Sequence, residues 1–450
     1  MQIPINIEHS FCAAKWLMVT MHFGMGENHS CYHPPIHRWD LADVNTNPGA
    51  LHNSKHKIKQ REMMLNGIRP KECSYCWDME DIDATAVSDR KRFTNETWAI
   101  ERRHEILSAP ADRPVGPAHL EISFANTCNF ACSYCSPGQS STWEHEISKY
   151  GSYPIEDPTV HRDKMHDMIP EDNNPYIDAF WKWLPEIYSG LRYLRITGGE
   201  PLATRNFMKL LDYVAEHHNP ELTLVVNTNL CVPEKNLDLF FTKATALLEA
   251  KTIKGLEVYT SMDTWGPQAE YIRTGLDTVL WEKNLRYYLE NLPQQDISFM
   301  ITFNVLTVAN FRTLLDKILQ LRKDYPGTPW HQRVQFDTPY LKEPAHWMIN
   351  ILPDEFNKYM DDNLQFIKDN FITPDSQIGF NEIEYEVFKR VVDYMKQNPV
   401  DPEKIKKGRR DFYVFFNETD KRNNTDFYSL FPEYLEFMAL CKEEYENYGK

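Results

Sequence analysis

Along residues 120–336, stretches in which every second residue is apolar alternate with stretches in which apolar residues recur every three or four positions. Leu120, Ile122 and Phe124 alternate with polar residues, which is typical of a strand with one buried face. Further strands are predicted over 192–197, 222–226, 256–260, 297–303 and 334–336. Apolar residues at helical spacing predict helices near 177–189, 207–214, 237–248, 281–292 and 311–319.

This regular alternation of six strands with helices predicts an α/β fold. Such an order favours a parallel sheet with helices on its outside. Right-handed crossovers allow such a sheet to curl, so the expected architecture is a partial (β/α)6 barrel of the TIM type. Beyond residue 353 the pattern becomes mostly helical and rich in aromatic residues.

Three regions are predicted from changes in composition. Residues 1–110 are rich in His, Cys, Trp and Met without a regular pattern, and indicate an irregular, cysteine-rich module. The Pro-rich segment 109–117 is the expected boundary. A barrel over 115–345 and a helical C-terminal extension over 346–450 complete the division, with 136–175 as an insertion.

Overall composition indicates a globular protein. The 450 residues are 42% hydrophobic and 25% charged. No stretch of about 18 apolar residues is present, and the first ten residues lack the apolar run of a secretory signal, so a cytoplasmic protein without a membrane span is expected. The net charge of -16 argues against nucleic acid as a partner.

The nine cysteines fall into clusters that are a poor disulfide framework. Cys128, Cys132 and Cys135 lie within eight residues, directly after the first predicted strand of the barrel. Clustered thiols in a reducing compartment indicate metal ligands. Three thiolates hold three corners of an iron–sulfur cube and leave the fourth iron open to exogenous chemistry.

This loop, together with a second motif at residues 197–201, resembles the signature of the radical S-adenosylmethionine (SAM) superfamily. The spacing Cys128-x3-Cys132-x2-Cys135, with Tyr134 before the last cysteine, is similar to that family's loop. Thr197-Gly198-Gly199-Glu200-Pro201 at the end of the second strand is similar to its GGE motif. The resemblance covers residues 115–340. It implies a [4Fe–4S] cluster on the three cysteines, with SAM on the open iron. Reduction would then yield a 5′-deoxyadenosyl radical that abstracts a substrate hydrogen.

The resemblance also implies roles for the GGE turn. Gly198 and Gly199 would let backbone approach the methionine part of SAM closely, since they carry no side chain. Glu200 would accept hydrogen bonds from its ammonium group. A turn with tolerant glycines is the alternative.

Further positions similar to the family's lie at later strand ends. Ser261 and Arg273 would bind the SAM carboxylate, because an Arg–carboxylate contact is bidentate. Asn229 would contact the ribose or the substrate, and Asp263 would accept a proton. A turn Ser-Asp and a surface Arg are the competing interpretation.

Cys12, Cys31, Cys73 and Cys76 offer four thiolates in the N-terminal region. Together they resemble the auxiliary-cluster, twitch-type module of some radical SAM enzymes, although familiar modules follow the barrel and this one precedes it. A second [4Fe–4S] cluster, a structural zinc site with the same ligands and unligated thiols remain the three alternatives.

The predicted function is that of a radical SAM enzyme acting on a peptide or small molecule. We expect a redox outcome assisted by the auxiliary cluster, with an external electron donor such as flavodoxin or ferredoxin. One alternative is a non-enzymatic metal-binding scaffold or sensor. Another is a radical SAM enzyme that acts on a sugar or nucleotide and has a structural N-terminal zinc site.

Overall fold

The computed structural model describes residues 3–156, 160, 167–328, 331–374, 376–397 and 400–447. The strands are β1 Met18–His22, β2 Glu27–His29, β3 His37–Arg38, β4 His119–Ser123, β5 Ala131–Cys132, β6 Tyr193–Thr197, β7 Asn219–Thr228, β8 Ile253–Ser261, β9 Arg273–Thr274, β10 Ile297–Met300 and β11 Val334–Asp337.

The α-helices up to the last strand are α1 Ile5–Glu8, α2 Ala14–Leu17, α3 Leu41–Thr46, α4 Lys55–Leu65, α5 Ser74–Ile82, α6 Asp89–Thr94, α7 Thr97–Leu107, α8 Ser141–Tyr150, α9 Pro175–Ile187, α10 Arg205–Glu216, α11 Glu234–Glu249, α12 Pro267–Ile272, α13 Thr278–Asn291 and α14 Thr307–Asp324. The C-terminal helices are α15 Asn357–Asp369, α16 Glu382–Gln397, α17 Pro402–Asn423, α18 Phe427–Leu430 and α19 Leu435–Glu446.

The chain divides into two compact units that are interleaved in sequence. The first unit comprises Met1–Asn126, His166–Val226 and Thr242–Leu256. The second comprises Thr127–Met165, Asn227–Phe241 and Glu257–Lys450. The predicted boundary at 109–117 divides the chain differently, because the structure groups the N-terminal region with the first barrel strands.

The sheet of the first unit is built around β4. Strand β1 lies parallel to it, with Met18 opposite His119 and His22 opposite Ser123. On its other side β4 is parallel to β6, and β6 is parallel to β7. Strand β2 is antiparallel to β1, and β3 is antiparallel to β2. The N-terminal region is thus an integral part of this sheet.

In the second unit, β8 is parallel to β10, and β10 is parallel to β11. A small antiparallel pair, β5 with β9, places Cys132 opposite Arg273 and Ala131 opposite Thr274. Helices α15–α19 occupy the end of the chain. The prediction of an α/β fold with parallel strands and a helical C-terminal region is confirmed.

One strand is shorter than predicted. Strand β10 ends at Met300, whereas the apolar pattern extends to residue 303. The backbone N–H of Thr302 turns to the Asp263 carboxylate at 3.0 Å. This side-chain acceptor replaces a ladder partner, and hydrophobic alternation does not reveal it.

The N-terminal region is more regular than its sequence predicts, since it contains α1–α7 and β1–β3. Helix α4 shows why the pattern is missed. Its buried residues are Lys57, Gln60, Arg61 and Met64, which have helical spacing but are mostly polar. Lys57 Nζ donates to the Met18 carbonyl oxygen at 2.7 Å, so burial is compensated by hydrogen bonds.

Each unit has its own core. The N-terminal core of the first unit includes Phe11, Trp16, Met64, Trp77 and Trp98, and Cys12, Cys31 and Cys73 pack against it. In the second unit, the buried rings of Phe412, Phe415, Phe416, Phe427 and Phe431 form much of the C-terminal core. In the part of the chain that is described, helices are too short or too polar to cross a membrane.

The predicted insertion at 136–175 contains α8 and the start of α9. Residues 157–159 and 161–166 of that segment lie outside the described residues.

Candidate functional site

The three-cysteine loop in the second unit is held by the start of α8. Ser140 caps this helix, since its hydroxyl accepts from the Trp143 N–H at 3.2 Å. Trp143 Nε1 donates to the Cys132 carbonyl oxygen at 2.6 Å, and Thr142 Oγ1 donates to that of Cys128 at 2.7 Å. The Cys135 N–H closes a tight turn on the Cys132 carbonyl at 2.8 Å. Backbone groups of the loop are thus satisfied locally, which leaves the thiols for another role.

Three N–H donors point at sulfur atoms of this loop. The Phe130 N–H lies 3.4 Å and Asn229 Nδ2 3.9 Å from Cys128 Sγ. Arg273 Nη1 lies 3.6 Å from Cys132 Sγ. Such donors stabilise negative charge on sulfur, as a metal-bound thiolate requires.

The thiols are close enough to influence one another. Burial raises the pKa of Cys135, and the neighbouring Cys132 and Cys128 thiolates raise it further. Burial also raises the pKa of Cys132, against the lowering effect of Arg273. Partly buried thiols with raised pKa values become thiolates when a metal ion binds them. The donor set therefore fits an iron–sulfur cluster with three protein sulfurs.

A buried ion pair adjoins Cys132. Asp263 has no solvent exposure, and its Oδ1 accepts from Arg273 Nη2 at 2.8 Å. Its Oδ2 accepts from the Tyr134 hydroxyl at 2.8 Å. With the Thr302 N–H, three donors surround this carboxylate. The structure thus makes Asp263 the anchor of Arg273 and Tyr134, two residues that the sequence places near SAM.

The charges of this group reinforce one another. Burial raises the pKa of Tyr134 well above its ordinary value, so the phenol stays protonated and donates to Asp263. Burial alone would lower the pKa of Arg273, but Asp263 raises it. The Nε atom of Arg273 is buried and makes no hydrogen bond among the described residues. One donor of this guanidinium is therefore available.

In the second unit, Asn229 contacts the three-cysteine loop, whereas Ser261 lies in the sheet at the end of β8. Asn229 follows β7 and donates to Asn129 Oδ1 at 2.8 Å, in addition to its contact with Cys128 Sγ. Asn129 Nδ2 in turn donates to the Cys231 carbonyl oxygen at 2.7 Å. Ser261 is the last residue of β8, opposite Met300. The structure brings Asn229 to the cysteine loop.

The GGE turn lies in the first unit, where it packs against the segment that leads into the cysteine loop. Gly198 has φ +110°, and a Cβ there would lie 2.5 Å from Ser123 Oγ, so only glycine fits. The Gly199 N–H donates to the Ala125 carbonyl oxygen at 3.2 Å. Glu200 is fully buried, and its Oε1 accepts from the Leu202 N–H at 3.0 Å.

The four N-terminal cysteines come together in the first unit. Burial raises the pKa of Cys12, and the Cys31 and Cys73 thiolates raise it further. Burial raises the pKa of Cys31 to about 11, with smaller contributions from Cys73 and Cys76. The four thiols are therefore electrostatic neighbours, and they supply one sulfur more than the barrel loop.

A buried cation also adjoins this second group of thiols. Lys15 is 2% exposed and its Nζ lies 2.7 Å from Glu72 Oε1. Burial alone would lower the pKa of Lys15, but the negative charges of Cys73 and Glu72 raise it. Two histidines close to these cysteines in sequence, His29 and His33, have other partners. His29 Nδ1 lies 2.6 Å from the Cys31 carbonyl oxygen, and His33 Nε2 lies 2.7 Å from Asp89.

Sequence reasoning missed four residues that support the two groups of thiols: Asn129, Trp143, Lys15 and Glu72. Proximity in sequence was the available signal for three of them. Asn129 follows Cys128, Lys15 is three residues after Cys12, and Glu72 precedes Cys73. Trp143 gives no such signal.

Residues 122–318 match the family model described as the radical SAM superfamily. The chain contains a radical SAM domain. The matched residues include Cys128, Cys132 and Cys135 as well as the GGE turn. The prediction of a radical SAM domain is thus confirmed for this segment of the chain.

Two curated relatives are similar to part of this chain. The GTP 3′,8-cyclase of Sulfurimonas denitrificans is 26% identical over 163 residues, which are 36% of this chain and 39% of that protein. The GTP 3′,8-cyclase of Nautilia profundicola is 26% identical over 115 residues, which are 25% of this chain and 27% of that protein. The chain thus matches less than half the length of either relative.

Several solved structures are also similar, at low levels. Native anSMEcpe with bound AdoMet and Cp18Cys peptide has a TM-score of 0.36 and 15% identity, over 59% of this chain and 63% of that one. Streptococcus suis SuiB bound to precursor peptide SuiA has a TM-score of 0.37 and 12% identity, over 81% of this chain and 73% of that one. Such distant similarity carries no information about the substrate.

Proposed function

We propose that this protein is a radical SAM enzyme whose SAM-binding [4Fe–4S] cluster is held by Cys128, Cys132 and Cys135. The observation that carries the proposal is the set of three neighbouring thiols, with N–H donors aimed at the sulfurs of Cys128 and Cys132, within the matched domain. Three sulfurs are one fewer than the irons of a cube, which leaves a position for a cosubstrate. The cluster would supply the electron that cleaves SAM to a 5′-deoxyadenosyl radical.

The protein residues would bind and orient SAM, and they would exclude water from it. The cation of Arg273, held by Asp263, offsets the negative charge of the buried sulfurs, and its remaining Nε–H suits a carboxylate. Asp263 and Tyr134 thus act as positioning residues. Gly198 and Gly199 give backbone close access, and the buried carboxylate of Glu200 suits the ammonium group of SAM.

At the N-terminal site we propose a second [4Fe–4S] cluster on Cys12, Cys31, Cys73 and Cys76. A zinc ion with sulfur ligands at about 2.3 Å requires sulfurs about 3.8 Å apart. Within the part of the chain that is described, the one group of three such donors within 4.8 Å of one another is made of two histidines and a glutamate, so no three of these cysteines are that close. A cube spreads its ligands over four irons, and this wider arrangement favours it.

The proposed reaction is hydrogen abstraction from a peptide or small molecule, with a redox outcome. A cluster with four protein sulfurs has no open iron, so electron transfer is the role that suits it best. An external donor of the flavodoxin or ferredoxin type would reduce the enzyme. The nine cysteines are clustered in a way that makes a poor disulfide framework, and this favours a reducing compartment such as the cytoplasm.

The second candidate substrate is a nucleotide. The partial similarity to GTP 3′,8-cyclases favours it, since those proteins are named for a reaction of GTP. Assays with GTP and with a peptide mixture, each read by the mass of the products, distinguish the two candidates.

The test of the proposal is formation of 5′-deoxyadenosine. The full chain is reconstituted anaerobically with iron and sulfide, reduced with dithionite and incubated with SAM. We expect 5′-deoxyadenosine from the wild type and none from Cys132→Ala, because the cluster needs all three sulfurs. Cys441→Ala, which removes a cysteine outside both groups, is the control and should keep the activity. A loaded wild-type cluster that yields no product would favour the scaffold alternative.

A further inference from the structure

His37, His56 and Glu72 form a third group of potential ligands, and it contains no sulfur. His37 Nε2 lies 3.0 Å and His56 Nε2 lies 2.8 Å from Glu72 Oε2. All three donor atoms lie within 4.8 Å of one another. Two ligand atoms bound at about 2.1 Å in a tetrahedral arrangement lie about 3.4 Å apart. The three side chains, joined by hydrogen bonds through Glu72 Oε2, are therefore already gathered close to the spacing that one small ion needs.

Three separate elements present these side chains. His37 begins β3, which is paired with β2, and its carbonyl oxygen accepts from Asn28 Nδ2 at 3.2 Å. His56 is in the first turn of α4, which Ser54 caps. Glu72 lies in the 3-10 helix Lys71–Cys73. Since each ligand is on a hydrogen-bonded element, the geometry does not depend on a loose loop.

The two carboxylate oxygens of Glu72 have different partners, as in a ligand that a neighbouring side chain orients. Lys15 Nζ holds Oε1 at 2.7 Å and leaves Oε2 for the two imidazoles. Ligating carboxylates commonly receive such a hydrogen bond on the other oxygen. The two imidazole rings lie with their centroids 3.8 Å apart, and each directs its Nε2 to the same point. An imidazole binds a metal ion in its neutral form.

We propose that His37, His56 and Glu72 bind one divalent transition-metal ion of the zinc class, through the two Nε2 atoms and Oε2. Two imidazoles and one carboxylate are a donor set that zinc and ferrous iron use in proteins. Among the described residues no fourth Asp, Glu, His or Cys joins the group. The His56 side chain is 42% exposed, so water would complete the coordination. The site is independent of the proposed radical chemistry.

The test uses zinc alone as the probe, on the full chain with its iron sites filled by anaerobic reconstitution. Zinc affinity is measured by competition with a chromophoric chelator. We expect one additional zinc per chain in the wild type. We expect affinity to fall on the order of 100-fold or more in His56→Ala and in His37→Gln, with iron content unchanged. His104→Ala, which alters an exposed histidine on α7, is the control and should bind as the wild type does.

Cobalt in place of zinc shows which atoms bind. We expect d–d bands without a sulfur-to-cobalt charge-transfer band, because the ligands are nitrogen and oxygen. A charge-transfer band from sulfur would place the ion at the cysteines and overturn the proposal. So would a wild type that binds no zinc once its iron sites are full, or wild-type affinity in both histidine variants.

Discussion

In both groups of thiols a buried cation offsets negative charge on sulfur, but the residues that do so differ. Each has a buried cation beside a cysteine and a carboxylate that holds this cation. In the barrel loop the cation is Arg273 and the carboxylate is Asp263, both in the interior. In the N-terminal group they are Lys15 and Glu72, of which Glu72 also faces two histidines at the surface.

The shared feature reflects what any buried sulfur-rich centre demands. Several thiolates in a medium of low dielectric constant need compensating positive charge. The differences are in the number of sulfurs and in the connection of the carboxylate. Asp263 is enclosed by Tyr134 and the Thr302 N–H, whereas Glu72 links the N-terminal group to the surface. This difference agrees with the proposed roles, which are an enclosed site for a cosubstrate at the three-cysteine loop and a metal saturated by four sulfurs in the N-terminal group.

Removing one sulfur from the N-terminal group should have the largest effect, and it should affect that group alone. We expect Cys73→Ala to lower iron from about eight to about four per chain, because one cube is lost. Formation of 5′-deoxyadenosine should persist, since the barrel cysteines are intact. Iron analysis and product quantification on the reconstituted protein check this, and Cys12→Ala should reproduce it. Unchanged iron together with the loss of one zinc would instead identify a zinc site on the cysteines.

Neutralising Asp263 tests the rigidity of the barrel site. We expect Asp263→Asn to reduce the free energy of unfolding by about 3–5 kcal/mol, because Arg273 remains buried without its counter-ion. Chemical denaturation under anaerobic conditions measures the change. The control is Asp316→Asn, whose pair with Arg312 is solvent-exposed and should contribute about 0–1 kcal/mol. Equal effects of the two substitutions would contradict a special role for the buried pair.

Removing the N-terminal cation should have the smallest effect. We expect Lys15→Met to lower the reduction potential of the N-terminal cluster on the order of 100 mV, from one unit charge at roughly 6 Å and an effective dielectric constant of about 20. The sign follows because reduction adds negative charge that Lys15 stabilises. A redox titration followed by electron paramagnetic resonance measures it, with the exposed Lys71→Met as control. A wild type without a second redox couple would argue against a cube.

The sequence predicted most of the barrel because its strands and helices follow hydrophobic periodicity. It also singled out the clustered cysteines as ligands, because thiols at short spacing are rare by chance, and this assignment stays a prediction. It did not predict α4, whose buried face carries Lys57, Gln60 and Arg61. Nor did it predict that Asp263 would hold Arg273, since the partners of a buried carboxylate depend on distant segments. Thr302, for example, reaches it from beyond β10.

The pairing of β1 with β4 constrains how this protein can be divided. A chain shortened to begin at residue 115 would keep every barrel motif, yet β4 would become an open edge with a row of unsatisfied amide and carbonyl groups. Such an edge invites association with another molecule. The cysteine-bearing N-terminal region therefore also covers the edge of β4, and a shorter form of the protein would need another strand in that place.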